Sequence, residues 1–260
     1  MIVFAAIMPH PPESVSGIGN PDDFKAIQKT LDAFGQLRIG LEQADPETIV
    51  IISPHAHMEK YSFAINSASE LSGNFMKFGL NETHTYANDI GTVDGLEFAC
   101  LKEELLTCFH QDFLDHGSLI PLYHLAKNIK PKIVQLSFSF MSYNFHYRYG
   151  EILRSVIDSN INKRVAIIAS GDLSHSLSPK APAGFLPEAR EFDQMVLRYL
   201  RANDIASIIK LDQRIAAGIA ECGMRAFVIL LGALHGRSYE FKLLSYENPL
   251  GIGYLTARLV

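Results

Sequence analysis

Short runs of apolar residues recur along the chain, and many of their positions carry β-branched side chains. These runs are apolar at nearly every position rather than at alternate ones. That pattern is typical of central strands covered on both faces of a sheet. The predicted strands are Ile2–Ile7, Thr48–Ser53, Lys132–Ser137, Arg164–Ser170, Glu240–Ser245 and Gly253–Arg258.

Helical patterns lie between these runs. Asn20 followed by Pro21 and two aspartates is typical of a helix start, and we expect this helix to continue to about Gln43. A second helix is predicted by an apolar stripe at helical spacing, formed by Phe192, Met195, Val196, Tyr199 and Leu200. A third helix is predicted from about Ala216 to Leu234. Strands that alternate with helices predict an α/β fold with a central, mostly parallel sheet flanked by helices.

The chain has 260 residues, of which 48% are hydrophobic, and its formal net charge is −5. That length can bury a substantial core, and no repeat or linker interrupts it, so we expect residues 1–260 to form a single domain. No stretch reaches the roughly 18–20 uncharged apolar residues that a membrane span needs. The segment Ser176–Pro187 contains three prolines and is predicted to be a long ordered loop, either a lid or a plain connection.

Charge and cysteine content narrow the classes of partner and compartment. The negative net charge, with no basic cluster, argues against a nucleic-acid partner. The three cysteines do not make a disulfide framework, so we expect a cytoplasmic location. Cys100 and Cys108 lie in a stretch predicted to be an amphipathic helix.

Three histidines directly follow predicted strands. They are His10 in the turn MPHPP, His55 in SPHAH and His175 in GDLSH. A lone histidine after a strand usually has a structural role. Three of them on separate strands are different, because the carboxyl ends of parallel strands meet at one edge of a sheet, where ligands bind. The sequence therefore predicts a metal or catalytic site at this edge.

A mononuclear iron(II) oxygenase needs two imidazoles and one carboxylate on one face of the metal. Glu221 is the best candidate for the carboxylate, because it is an acid within an apolar run, where burial is costly unless it is paired or metal-bound. A salt bridge to Arg225, four residues on, explains Glu221 equally well. Asp172 competes for the role but is better suited to orienting a loop, and Asp115 and Asp89 are weaker candidates.

Five motifs occur in the order found in a known family. They are FAAIMPHPP, IVIISPHAH, LDHGSLIPL, IASGDLSHSL and AECGMRAF. With them the chain resembles the LigB-like class III extradiol ring-cleaving dioxygenases, nearly end to end. It looks most like the subgroup named as the B component of the AmmeMemoRadiSam system, to which the Memo proteins are related.

The resemblance implies a non-haem iron(II) dioxygenase that opens the ring of a catechol-type aromatic diol with O2. Carried over by position, it makes His10 and His55 the imidazole ligands and Glu221 the carboxylate ligand. It makes His175 the catalytic acid/base and His116 a second active-site histidine near the substrate.

One departure from the dioxygenase pattern lies beside Glu221. Memo-type relatives use a cysteine near this point as a metal ligand, and Cys222 stands here. A thiolate ligand favours copper or zinc and puts ring cleavage in doubt. The alternative function is therefore a Memo-like metal-binding component without ring-cleaving activity. His57, two residues after His55, is expected beside the site rather than on the metal.

The resemblance also implies partners, namely a radical-SAM protein of the same system and a second copy in a homodimer. Two further readings stay open. A zinc-dependent hydrolase uses the same kinds of ligand with one open position. A non-catalytic binding module would use the histidines only as structural groups.

Overall fold

Four of the predicted apolar runs form the parallel centre of one sheet. The computed structural model describes residues 1–101 and 105–260. The strands are β1 (Ile2–Met8), β2 (Thr48–Ser53), β3 (Phe63–Asn66), β4 (Glu70–Phe75), β5 (Leu80–Ala87), β6 (Leu106–Phe109), β7 (Lys132–Ser137), β8 (Val165–Ser170), β9 (Lys242–Glu247) and β10 (Tyr254–Arg258). Eight of them form a sheet in the order β6-β3-β7-β2-β8-β1-β10-β9. Strands β7, β2, β8 and β1 run parallel, and β10 and β9 add an antiparallel edge.

Helices cover both faces of this sheet. They are α1 (Pro21–Ala26), α2 (Gln28–Ala44), α3 (Ile90–Cys100), α4 (His116–Leu125), α5 (Tyr143–Asp158), α6 (Pro187–Arg201), α7 (Ile205–Ile209), α8 (Gln213–Gly218) and α9 (Met224–Ala233). Every residue of β2 is buried. Ile52 belongs to one apolar core with Leu153 of α5 and Phe227 of α9. Ile51 belongs to the other core with Phe34 of α2. The continuous apolar runs are thus explained by burial on both faces.

The predicted helix from Ala216 to Leu234 is wrong in one respect, because it is interrupted. Helix α8 ends at Gly218 and α9 begins at Met224. Between them Ala220 has φ +56°, a left-handed conformation that ends a helix. The break leaves Glu221 and Cys222 in the connection between the two helices and not on a helix face.

Other boundaries also differ from the predictions. The helix predicted from Asn20 to Gln43 is divided into α1 and α2 at Ile27. The stretch predicted as one helix from Cys100 to Cys108 contains the end of α3 and strand β6, with residues 102–104 outside the described part. Within the described residues, no helix is both long and apolar enough to cross a membrane.

Strands β4 and β5 form a separate antiparallel hairpin that the sequence did not predict. Their burial alternates, because one side packs on the protein and the other faces solvent. Leu71 and Phe75 are the buried anchors of the hairpin. A short 3₁₀ helix, Met76–Phe78, lies between the two strands. This connection places Lys77 next to His116 at the start of α4.

Candidate metal centre

His10 and His55 meet at the carboxyl edge of the parallel strands. Each follows a strand directly, β1 for His10 and β2 for His55. Their Nε2 atoms lie 3.1 Å apart, with the rings edge to face. Two nitrogens that bind one ion at about 2.0–2.1 Å stand roughly 3 Å apart. The spacing therefore fits two imidazoles on the same metal ion.

The tautomer of His10 follows from its neighbours. Its Nδ1 lies 2.9 Å from the Ser170 hydroxyl, and that hydroxyl donates to the Gly117 carbonyl at 2.6 Å. A hydroxyl has one proton, and a carbonyl oxygen only accepts, so Ser170 must accept from His10. His10 thus carries its proton on Nδ1, and the lone pair on Nε2 faces His55. This is the form in which an imidazole binds a metal through Nε2.

His116 stands beside His55 at the start of α4. The two rings stack with centroids 4.2 Å apart. Asp115 caps this helix, accepting from the Ser118 N–H at 3.1 Å. Its carboxylate also accepts from Ser53 at 2.6 Å, and from the Ser118 hydroxyl and Gln135, each at 2.8 Å. Because its carboxylate already accepts four hydrogen bonds, Asp115 positions the start of α4 and is not available to bind a metal.

Asp172 and Cys222 approach His10 from the loop after β8 and the turn before α9. Asp172 Oδ2 lies 3.6 Å from His10 Nε2, and Cys222 Sγ lies 3.9 Å from the same nitrogen. The backbone joins the two segments, since the Asp172 carbonyl accepts from the N–H groups of Cys222 and Gly223. Gly171 makes this contact possible, because a Cβ on it would lie 2.1 Å from the Gly223 Cα. The sequence offered both groups as rivals of Glu221, which was the predicted third ligand.

His175 also lies near Asp172, with its Nε2 3.7 Å from the same oxygen, Oδ2. Its Nδ1 is buried and has no hydrogen-bond partner among the described residues. A buried polar atom of this kind needs an explanation, and an incoming ligand or water supplies one. The position suits the predicted acid/base role, which stays a prediction.

Glu221 stands outside these groups. Its Oε2 accepts from the Met224 N–H at 2.7 Å, which caps the start of α9. Among the described residues, the groups able to hold a metal are His10, His55 and His116, and His10, Asp172 and Cys222. The ligand role of Glu221 stays a prediction, and Asp172 is the carboxylate brought to His10.

His57 also stands outside the two groups and contacts the Glu59 carboxylate at 2.8 Å. The pair is exposed at the surface. The expectation that His57 lies beside the site and not on the metal stays a prediction.

The comparisons with known proteins agree with this architecture. Residues 4–256 match the family model described as the catalytic LigB subunit of aromatic ring-opening dioxygenase. The chain belongs to the LigB family. This confirms the predicted family, and the α/β fold with its mostly parallel sheet is confirmed with it.

One relative and one solved structure are similar over nearly all of this LigB-family chain. Protein CA_C1420 of Clostridium acetobutylicum is 29% identical over 265 residues, which cover 97% of this chain and 56% of that protein. The chain thus spans about half the length of this relative. The crystal structure of the uncharacterized protein JW3007 from Escherichia coli superposes with a TM-score of 0.67 at 17% identity, covering 99% of each chain. That likeness shows the fold alone.

Three histidines of the LigB chain, His10, His55 and His116, are held in the neutral form. Burial lowers the pKa of His10 to about 3, and the neighbouring His55 adds to the effect. Burial likewise lowers the pKa of His55, and it lowers that of His116 to about 2. Neutral imidazoles are the form that binds a metal. The contact between His10 and Asp172 is therefore not an ion pair.

The donor atoms around His10 fit a bound cation. His10 Nε2, Asp172 Oδ2 and Cys222 Sγ lie close enough together to bind one cation. Burial raises the pKa of the Cys222 thiol well above its usual range, and the nearby Asp172 adds to this. Binding a metal through Cys222 would therefore release a proton. Imidazole with thiolate suits zinc, copper or iron.

A cavity of about 700 Å³ lies at the same end of the sheet. The predicted loop Ser176–Pro187 forms one wall, and the turn between β9 and β10 forms the other. The loop is tied to itself by a bridge between Leu177 and Phe185, and to the turn by the bond from the Leu177 N–H to the Gly251 carbonyl. The loop borders this cavity, and its role as a lid or as a plain connection stays a prediction. Glu13 also lines the cavity, and its carboxylate accepts a hydrogen bond from the Tyr254 hydroxyl at 2.7 Å.

Proposed function

We propose that the chain is a metal-dependent redox protein of the Memo-like kind, holding one ion through His10, Asp172 and Cys222. One observation carries this choice over the iron dioxygenase. Cys222 Sγ lies 3.9 Å from His10 Nε2, whereas the Glu221 carboxylate caps a helix. Thiolate and imidazole ligands together favour copper, zinc or iron.

The surrounding residues have separable roles in this proposal. Ser170 holds the His10 ring in its Nδ1–H tautomer. Asp172 lies near both His10 and His175, where it can orient the His175 ring, and His175 is placed to exchange a proton with a ligand. Any of these metals, when bound, would supply Lewis-acid chemistry, and copper or iron would also supply the one-electron chemistry that a redox role needs.

Extradiol ring cleavage is the second candidate function. The description of the matching family favours it, and so does the presence of His116 and His175 beside the histidine pair. In this reading the substrates are a catechol-type diol and O2, and the metal is iron(II). Asp172 then replaces Glu221 as the carboxylate nearest the histidines.

Metal analysis after anaerobic purification tests both candidates. We expect one equivalent of metal in the parent chain and in Glu221→Gln, which keeps an oxygen for the helix cap. We expect Cys222→Ala to lose most of it. Loss of metal in Glu221→Gln with full retention in Cys222→Ala would overturn the proposed ligand set.

The same preparations separate redox chemistry from ring cleavage. Iron-loaded protein is given a panel of catechols, with oxygen uptake and the yellow ring-fission product as readouts. Formation of the ring-fission product in proportion to the oxygen consumed would favour ring cleavage, the second candidate. The homodimer and the radical-SAM partner remain proposals from resemblance, to be examined by light scattering and co-purification.

A further inference from the structure

Lys77 occupies one nitrogen of the His116 ring. It lies in the 3₁₀ helix between β4 and β5, and its Nζ is 2.9 Å from His116 Nδ1. The hairpin is anchored in the core by the buried Phe75. The Lys77 ammonium also lies 4.8 Å from the centre of the Phe78 ring, which stands 5.7 Å from the His116 ring. The fold of the hairpin therefore holds the lysine against this histidine.

The hydrogen bond from Lys77 leaves His116 without a free lone pair. The His116 ring is neutral, because burial lowers its pKa to about 2. An ammonium group only donates, so Nδ1 is the acceptor and the ring carries its proton on Nε2. With one nitrogen bound to Lys77 and the other protonated, the ring has no lone pair to give to a metal.

The orientation of the His116 ring leads to the same conclusion. It stacks on His55, with the centroids 4.2 Å apart and the planes inclined by 22°. The lone pairs of an imidazole lie in the plane of its ring, so stacked rings direct them side by side and not at one shared point. His10 differs, because its ring meets His55 edge to face at 85°. A hydrogen bond at Nδ1 keeps the His116 ring in this stacked orientation.

We propose that Lys77 determines the ligand set of the metal centre by excluding His116 from it. The two groups able to hold a metal among the described residues share His10, and only one of them needs His116. Lys77 disables that three-histidine group, which leaves the metal to the group that contains Cys222. The inference rests on the proposed function, because it explains why a thiolate site forms in place of a three-histidine site.

Proton–nitrogen correlation NMR of the metal-free chain tests the contact itself. The two ring nitrogens of His116 are assigned by their loss in His116→Gln. We expect Nδ1 to be unprotonated in the parent, and its resonance to move in Lys77→Met, which removes the donor at similar side-chain length. Lys77→Arg keeps a charged donor and should hold Nδ1 in the acceptor state. The same Nδ1 resonance in the parent and in Lys77→Met would overturn the proposal.

Lys132→Met is the matched control for these spectra. Lys132 is an exposed lysine at the opposite end of parallel strand β7. Its replacement removes the same charge at a distance from the histidines. It should leave the Nδ1 resonance of His116 where it stands in the parent.

Zinc affinity, measured by competition with a chromophoric chelator, tests the consequence for metal binding. We expect His116→Gln to bind zinc as tightly as the parent. Loss of a direct ligand would instead cost at least the about 10- to 100-fold that groups outside the ligand set contribute. Lys77→Met should bind zinc about tenfold more tightly, the lower end of the same range, because His116 becomes available.

The double variant Lys77→Met with His116→Gln should return to the parent affinity. A gain that persists in it would come from removal of a positive charge alone and would overturn the proposal, and so would the absence of any gain in Lys77→Met. Failure of the parent to bind zinc would count against the proposed function, while the metal-free spectra still decide whether Lys77 holds His116.

Discussion

The Ser170 hydroxyl accepts a hydrogen bond from His10 Nδ1 at 2.9 Å while it donates to a backbone carbonyl at 2.6 Å. This single contact determines which nitrogen of His10 is free. Both groups are buried, so water does not compete for the position. Partners of this kind fix the ring orientation of metal-binding histidines.

Ser170→Ala should therefore weaken metal binding. Without the hydroxyl, the His10 ring loses its fixed tautomer, and we expect affinity to fall by about 10- to 100-fold. Competition with a chromophoric chelator measures this change. Ser137→Ala is a suitable control, since Ser137 is also a buried serine that ends a parallel strand. Unchanged affinity in Ser170→Ala would contradict the role given to the hydroxyl.

Gly171→Ala should disrupt the contact between the Asp172 loop and the Cys222 turn. The added Cβ would meet the Gly223 backbone at 2.1 Å, so one segment must move. We expect the free energy of unfolding to fall by about 1–3 kcal/mol or more, together with loss of metal stoichiometry. Urea titration and metal analysis report the two effects. Gly35→Ala in α2 is the control, because a Cβ there meets no described atom within 4 Å, and a slight gain of up to about 1 kcal/mol is expected.

His175→Ala should retain the metal and lose turnover. The imidazole stands beside Asp172 and outside the two groups able to hold a metal among the described residues. Loss of a general acid or base lowers rates by about 10²- to 10⁴-fold. Oxygen uptake of metal-loaded protein is the readout, and His57→Ala, which removes an exposed histidine, is the control. Full activity in His175→Ala would rule out the acid/base role.

Asp193 makes stability depend on pH. Burial raises its pKa to about 7, although the Tyr246 hydroxyl and the Ser174 N–H both contact the carboxyl group. The folded chain therefore holds a proton that the unfolded chain releases near pH 4. The free energy of unfolding should fall as pH rises from about 4 to about 7, by about 1–4 kcal/mol.

Asp193→Asn mimics the protonated carboxyl group and should remove this contribution. Urea unfolding at pH 5 and pH 8 measures the difference between the variant and the parent. The variant should gain stability relative to the parent at the higher pH. A constant difference across this range would show that Asp193 does not titrate in the folded chain.

The sequence was most informative where burial acts on whole strands. Apolar side chains at nearly every position of Thr48–Ser53 are compatible only with cover on both faces, and β2 lies in the middle of the sheet. The same reasoning placed His10 and His55 together, because parallel strands end at one edge. The short strands β3 and β6 and the hairpin β4–β5 carry weaker patterns. Their pairing depends on partners distant in sequence, which local periodicity does not encode.

The ligand set shows the limit of sequence reasoning most clearly. Glu221 and Cys222 are adjacent, and motif and spacing do not decide which of them faces His10. That choice depends on the left-handed backbone at Ala220 and on the close packing of Gly171 against Gly223. Lys77 was missed for a related reason, since it reaches His116 from a hairpin that was not predicted.

The sequence by itself thus determined the family, the parallel sheet and the pair of histidines at its edge, because these follow from hydrophobic periodicity and motif order. Only the tertiary structure decided which side chains accompany His10. Asp172, Cys222 and Ser170 come from separate segments of the chain. Their distances from the imidazole are set by the packing of loop against turn, and no local pattern in the sequence records that packing.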